Sequence, residues 1–530
     1  MELQFSSFPI LFTFFLFLFM VLKVSKRAKT TNSSPSSKLP PGPWKLPIIG
    51  NMHQLAGSPP HRGLRDLANK HGPLMHMKLG EVSTIVVSSP EIAKEVMKTH
   101  DINFASRPQT MATRIMSYNS TNLAFAPYGE YWRQLRKICF QELLNTSHVQ
   151  SYQPIREEET SNLIKWIALN AESGSAINLT EKVFSTTYNI TSRAAFGKKC
   201  KEQDKFILAL HEALEVSSGF DIADVFPSVS FLQLITGMRS KLERLHQEID
   251  RIMDIIINGH KEDKAKQESS LSNDGGDEVK IEEDLIHGLL KFHDRGESGD
   301  HDFSLTIDNI KAVILDIFGG GSETSSTTVD WAMSEMIKNP RVMKKAQDEV
   351  REVFNRRGSI DEIGLNEMKY LKLVIKEILR LHTPVPLLLP RECREICEIN
   401  GYGIPLKTKV LVNAWAIGRD PRYWCEPESF NPERFMDSSV DFKGTNFEYI
   451  PFGAGRRICP GISFGLINIE LPLALLLYHF DWKLPNGMKH EDMDMTESFS
   501  ITVRRKSDLH VIPIAYHPSP PSAVEKFTIK

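Results

Sequence analysis

Along most of the chain, apolar residues recur at three- and four-residue spacing, the signature of helices that bury one face. The clearest case runs over residues 306–339. Ile307, Ile310, Val313, Ile314, Ile317 and Phe318 form its first apolar stripe, and Val329, Ala332, Met333, Met336 and Ile337 resume it. Pro340 ends it, because proline has no N–H with which to continue the ladder. Such a helix spans about 50 Å, enough to cross a whole domain. Its middle reads Gly319-Gly320-Gly321-Ser322-Glu323-Thr324. Each glycine costs about 1 kcal/mol against alanine in a helix. Three together predict either a bend or bare backbone against which something packs. A second apolar helical run covers residues 462–477. Strand-like runs are short, over residues 76–79, 84–87 and 409–413. The pattern is that of a mainly α protein with small β-sheets.

Two ends and one internal stretch break this pattern. Residues 5–22 are almost all apolar, just long enough to cross a bilayer core. Lys23, Lys26, Arg27 and Lys29 follow at once, whereas only Glu2 precedes the run. The positive-inside rule then leaves the bulk of the chain in the cytosol. A cleaved signal peptide is the alternative, but it calls for a basic start and a small-residue cleavage site, and neither is evident. The predicted organisation is a membrane anchor over 1–22, a polar linker over 23–39, one large domain over 40–516 and a frayed Pro/Ser-rich tail over 517–530. Pro40-Pro41-Gly42-Pro43 makes a stiff hinge at the domain's start. The charged, Ser/Gly-rich stretch 261–283 is predicted to be a mobile surface loop.

Composition narrows the function classes. With 530 residues and 41% hydrophobic content the chain can bury a large core, and a net charge of -2 gives no electrostatic case for nucleic acid. The 6 cysteines are sparse and irregularly spaced, unlike a secreted disulfide framework. Cys393 and Cys397 lie close together, but no second pair or histidine cluster completes a zinc site. Sequons at Asn32, Asn119, Asn145, Asn178 and Asn189 stay unmodified if the body faces the cytosol.

One cysteine stands apart. Pro451-Phe452-Gly453-Ala454-Gly455-Arg456-Arg457-Ile458-Cys459-Pro460-Gly461 leads straight into the apolar run at 462. Glycines let backbone N–H groups approach a sulfur, and a helix N-terminus stabilises a thiolate there. A thiolate on haem iron pushes electron density that favours O–O cleavage. Phe452-x-x-Gly455-x-Arg457-x-Cys459-x-Gly461 resembles the haem-binding signature of the cytochrome P-450 family. The resemblance implies that family's fold, haem b as cofactor, Cys459 as the iron ligand, and Phe452, Arg457 and Gly461 in the cofactor-binding loop.

Further motifs follow in the family's order over nearly the whole chain. Trp132-x-x-x-Arg136 resembles the helix that donates to the haem propionates; both groups are donors only and suit a carboxylate. Arg391, after Leu389-Pro390, resembles another propionate partner, with a simple surface arginine as the rival reading. Glu377-x-x-Arg380, on one helical face, and Arg434 resemble the family's buried Glu-Arg-Arg cluster, a matter of fold rather than chemistry. Residues 320–325 resemble the oxygen-binding groove, where Thr324 would hold bound oxygen and Glu323 would help feed protons. The alternative for Thr324 is an ordinary helix hydroxyl bonded back to the backbone. The chain departs from the usual pattern twice: Gly320 stands where alanine is commoner, and His382-Thr383-Pro384 where a Pro-Pro pair is.

The resemblance implies a monooxygenase that puts one atom of dioxygen into an organic substrate. Its electrons would come from NADPH through a separate flavoprotein reductase, since no dinucleotide-binding fingerprint is apparent in this chain. Arg133, Lys137 and Arg456 offer that partner a basic docking side, or form a merely solvated face. The anchor, the hinge and the runs 446–451, 461–465 and 478–482 resemble plant microsomal members that oxidise specialised metabolites, many of them terpenoids. That implies a single-pass endoplasmic reticulum protein with a cytosolic catalytic domain. Substrate-facing segments implied by the family are 111–125, 314–324, 385–389 and 498–503. Val385, Leu387, Leu388, Leu389, Phe499 and Ile501 give them carbon surface, which predicts a sesquiterpene or diterpene substrate. The alternatives are an indole-type alkaloid or a phenolic, a reductase-independent haem-thiolate isomerase, and a non-catalytic haem protein.

Overall fold

The computed structural model describes residues 38–198, 202–216, 222–229, 231–232, 236–271, 284–297 and 303–516. The expected anchor, most of the linker, Cys200 and the expected tail lie outside the described residues. So does the stretch 272–283.

A four-stranded sheet near the N-terminus holds β1 (Leu74–Leu79), β2 (Val82–Val87), β3 (Arg391–Glu392) and β4 (Lys409–Val412), in the order β1-β2-β4-β3. β1 and β2 form an antiparallel hairpin, while β2 runs parallel to β4 with Thr84 opposite Lys409. The Pro-Pro-Gly-Pro hinge docks on this sheet: the His76 N–H donates to Pro41 O at 2.8 Å.

The helices that frame the interior are α1 (Glu130–Cys139), α2 (Gln153–Ala171), α3 (Leu179–Phe196), α4 (Gln203–Val216), α5 (Met238–Leu271), α6 (Leu285–Glu297), α7 (Ile307–Lys338), α8 (Pro340–Arg357), α9 (Lys369–Leu381) and α10 (Ile462–His479). β5 (Phe480–Lys483) and β8 (His510–Ala515) pair behind α10, and β6 (Glu497–Phe499) with β7 (Val503–Arg505) makes a hairpin between them.

The central helix α7 begins and ends where its chemistry dictates. Thr306 and Asn309 form a reciprocal capping box at its start, and Asn339 closes it before Pro340 opens α8. It packs on α3 and α10. Its first half, including Ile310 and Phe318, belongs to one core with α3, α4 and α5. Its second half, from Val329 to Ile337, belongs to another with α8, α9 and α10. The glycines and Glu323-Thr324 fall at the boundary between the two cores. α10 is long and apolar enough to cross a membrane, yet it is more than half buried and serves as a core helix.

One expectation needs correction. The stretch 261–283 does not begin as a loop: α5 continues to Leu271. Residues 261–271 carry Lys, Glu, Ala and Gln, good helix formers with no glycine among them, and local propensity extends the helix.

Candidate active site

The cysteine loop is shaped by two glycines. Gly453 and Gly455 have φ of 74° and 70°. A Cβ on Gly455 would stand 2.1 Å from Met97 O, so only glycine lets the two backbones approach. The Cys459 N–H donates to Phe452 O at 3.0 Å, which closes the loop. Gly461 is the N-cap of α10. Burial pushes the half-buried Cys459 thiol up; the Gly461 N–H and the Arg136 guanidinium act in the opposite sense, toward thiolate. Phe452 turns its ring edge to Phe442, at 5.4 Å between centroids, and so ties the loop to the neighbouring core.

The predicted donors converge around this loop. From α1, Arg136 Nη2 donates to Ile458 O at 2.8 Å, beside the cysteine. Trp132 Nε1 donates to Leu123 O at 3.0 Å, and the Arg457 guanidinium lies 4.1 Å over the Trp132 ring. Arg457 is buried and also donates to Ala105 O. Arg391 is buried too, so the surface-arginine reading is set aside; it donates to Ala454 O at 3.0 Å and faces Asp101 at 3.5 Å. Burial pulls Arg391 down to about 10 and Arg457 to about 9.

The structure adds Arg107, which the sequence reading did not single out. It is buried and donates to Ala124 O, Leu389 O and Pro390 O. Burial, then repulsion from Arg457 and Arg391, pulls its pKa well down. Arg107, Arg391, Arg457 and Arg136 thus crowd together, with Asp101 as the nearby carboxylate and Asp316 acting on Arg457 from α7. Burial pushes the Asp316 carboxyl up to about 7, against hydrogen bonds from Ala124 N–H and Asn122. Uncompensated buried charge costs several kcal/mol per ion. An occupant with two carboxylates and a thiolate-seeking metal, which is the chemistry of haem b, fits this donor set.

Opposite the loop's helix, two of the three glycines play different parts. α7 runs unbroken through them. A Cβ on Gly321 would meet the Phe464 ring at 3.1 Å and Thr191 at 3.4 Å, so α10 and α3 both press on that bare backbone. Gly320 has open space at its Cβ. Gly320→Ala is therefore expected to stabilise the protein by about 0.5–1 kcal/mol, and Gly321→Val to destabilise it by about 1–3 kcal/mol. Denaturant midpoints of the two variants check both signs.

Thr324 makes the backbone contact weighed as the alternative, donating to Gly320 O at 2.6 Å. Its oxygen retains acceptor capacity. Glu323 turns away from the helix axis into a separate polar cluster: it contacts Tyr188, His211 and Thr502. In the His382-Thr383-Pro384 segment, where a Pro-Pro pair is commoner, His382 stacks on Trp331 at 3.9 Å and bonds Glu335 at 2.7 Å, and Thr383 caps the end of α9 through Leu379 O.

The Glu-Arg-Arg cluster assembles as expected. Arg380 Nε and Nη2 grip Glu377 at 2.7 and 2.8 Å, and Arg434 Nε reaches the same carboxylate at 3.0 Å. Glu377 and Arg380 are fully buried. Arg380 and Arg434 also donate to carbonyls of the 418–429 segment, which ties α9 to the chain leading into the cysteine loop.

The cytochrome P450 family model matches residues 40–511. The chain belongs to the cytochrome P450 family. Cytochrome P450 71D11 of Lotus japonicus is 58% identical over 94% of this chain and 99% of that protein. Premnaspirodiene oxygenase of Hyoscyamus muticus is 52% identical over 98% of this chain and 100% of its own length. Tabersonine 16-hydroxylase 2 of Catharanthus roseus is 54% identical over 98% and 99%. A solved zebra fish cytochrome P450 with abiraterone shares the fold at a TM-score of 0.69 and 24% identity, over 87% of this chain and 100% of that one. The P450 is thus a haem-thiolate monooxygenase of the plant 71 type, supplied with NADPH-derived electrons by a reductase.

Proposed function

We propose that Cys459 is the axial iron ligand of this P450, that Trp132, Arg136, Arg391, Arg457 and Arg107 hold the haem propionates, and that the enzyme hydroxylates a neutral, apolar plant metabolite, a sesquiterpene or diterpene. The observation that carries the haem assignment is the ring of four arginines around the cysteine loop. Bound there, the haem supplies dioxygen cleavage and oxygen insertion. The chain's own residues position the haem, exclude water and deliver protons, with Glu323 and Thr324 as the catalytic pair.

For the substrate, three of the four predicted segments contribute to one cleft. Thr113 and Phe125, Val385 to Leu389, and Phe499 to Ile501 line it, together with Lys409. The segment 314–324 does not line this cleft. The cleft measures about 50 Å³, well below the ~300–1,000 Å³ of a complete ligand site, so it forms one part of the substrate space. Its walls are mainly carbon, which suits a hydrocarbon skeleton. No acid lines it, which disfavours a cationic amine and favours the terpenoid reading over the alkaloid one.

The N-terminal run and the family's plant members support an endoplasmic reticulum anchor with a cytosolic catalytic domain. Arg133 and Arg456 flank Tyr128, and Arg394 joins them at 5.7 Å from its ring; this basic rim beside the cysteine loop is the surface we assign to the reductase.

Microsomes carrying the chain and a plant reductase, offered sesquiterpenes, diterpenes, indole alkaloids and phenolics, test the assignment. The expected result is an NADPH-dependent product with one added oxygen from a terpene. Product from an alkaloid alone would replace the substrate class. Product without NADPH would replace the proposed hydroxylation with an isomerase activity.

A further inference from the structure

Glu323 is buried, yet it does not sit in a sealed pocket. Tyr188 OH of α3 donates to Oε2 at 3.2 Å, and Thr502 Oγ1 donates to Oε1 at 3.2 Å. His211 of α4 brings Nε2 to 2.9 Å from Oε2, in contact though not aligned as a hydrogen bond. Burial alone pushes the Glu323 carboxyl up, but His211, Arg504 and Thr502 outweigh it and hold it below its ordinary value.

On the far side of this pair lies a second cavity, of about 250 Å³. His211 and Glu323 form its inner wall; Ser498, Ser500, Glu215 and Arg504 complete it. It is polar and large enough for several water molecules. At its rim, Arg504 pairs with Glu215 at 3.3 Å, and both side chains reach solvent. Phe499 and Ser500 line this cavity and the apolar cleft alike, so the β6–β7 hairpin tip is a partition between a polar space and an apolar one.

We propose that His211 is the proton carrier that resupplies Glu323 from this cavity. The inference rests on the monooxygenase reading and adds to it the source of the protons. Once its ring aligns with the carboxylate, His211 as imidazolium passes the Nε2 proton to Glu323 Oε2, leaving a neutral imidazole and a neutral carboxyl. The imidazole takes a new proton from bulk solvent through the cavity water, and Glu323, which must leave this cluster to reach the haem side of α7, carries its own there. Splitting one dioxygen consumes two protons and two electrons, the electrons coming from the reductase, so the transfer runs twice per product. The groups facing His211 are Glu323 from α7, Tyr188 from α3, Glu215 from its own helix and Arg504 from the hairpin. Tyr188 is raised far above its ordinary value by burial and by Glu323, so it remains a fixed donor rather than a carrier.

The test uses the full-length, haem-loaded chain with carbon-13 in its histidine rings. His211→Gln identifies the His211 resonance among the 17 histidines. Its ring carbons are expected to show the isotope shift of N–H exchange promptly on transfer to D2O, and to move in Glu323→Gln, where the neighbouring anion is gone. A His211 ring that does not exchange with solvent, or whose resonance Glu323→Gln leaves in place, overturns the proposal. In turnover with reductase, His211→Gln is expected to give about ten-fold less product per NADPH, with released peroxide in its place and a larger solvent-deuterium effect. Haem content and thermal midpoint should match the parent. An unchanged product-to-peroxide ratio also overturns the proposal. If the parent protein oxidises no substrate, the monooxygenase reading fails instead, and the solvent exchange of the histidine ring still decides the proton route.

Discussion

Cys459→Ala is expected to eliminate NADPH-dependent oxidation, a drop of at least about three orders of magnitude, because the bound group carries the chemistry and this sulfur is the ligand that tunes it. The variant should also lose the thiolate-type carbon monoxide spectrum of the reduced protein. The loop's fold does not depend on the sulfur: the Cys459 N–H bond to Phe452 O and the Arg136 bond to Ile458 O use backbone atoms. The global unfolding midpoint of the haem-free form should therefore barely move. A graded companion effect is expected from the arginines. Arg107→Met or Arg457→Met relieves repulsion among the rest but strands the backbone carbonyls it donates to, so the haem-free protein should change little in stability while haem retention falls about 10–100-fold. Haem transfer to an acceptor apoprotein measures the second, and denaturant unfolding the first. If Arg107→Met leaves haem retention unchanged, that arginine has no part in the cofactor site.

The largest loss of stability is expected at Glu377. Its carboxylate is shared by Arg380 and Arg434 and also accepts from the Asn431 N–H. Glu377→Ala would leave a fully buried Arg380 without its anion, at a cost of about 3–5 kcal/mol. For a domain of marginal stability that is a large share of the total. Expression should yield little haem-loaded protein, since the clamp fixes the chain that leads into the cysteine loop. Replacing Glu377 and Arg380 together by apolar residues should cost less than replacing Glu377 alone, because no charge is stranded. Yields of folded protein and double-mutant comparison of unfolding midpoints check this ordering. Equal losses from both would mean that hydrogen bonds to the 418–429 segment, not charge pairing, dominate.

Much of this was readable along the chain because its determinants are local. α7 ends where Thr306, Asn309, Asn339 and Pro340 place its caps. The Cys459 loop is a run of contiguous residues whose glycines serve one turn. Strands β1, β2 and β4 follow from apolar runs. What escaped reading depends on distant partners. Arg107 is one basic residue in Ser106-Arg107-Pro108, and its meaning comes from carbonyls of Leu389 and Pro390. A proline just after a lone arginine, at the end of an apolar segment, was the available hint. Glu323 was legible as an acid beside Thr324, but His211, Tyr188 and Thr502 come from three other elements, and no periodicity connects them. Strands β5 to β8 are short and partly exposed, so alternation gives them little signal. The helix over 261–271 was hidden by its polarity: a solvated helix and a charged loop share a composition.

The parallel pairing of β2 with β4 has a consequence for how the protein is made. Thr84 waits for Lys409, its partner across the sheet. At about 5–20 residues per second, a ribosome needs roughly a quarter of a minute to a minute to travel between them. During that interval the hairpin of β1 and β2 has one unmatched side bearing Ile85, Val86 and Val87, a template for wrong pairing between nascent chains. The cysteine loop emerges later still, so the haem can be captured only by a chain whose sheet is already waiting to close. Slow initiation and generous haem supply act on the same bottleneck: the first gives the unmatched strand fewer neighbours at any moment, and the second draws the completed chain out of the aggregation-prone pool.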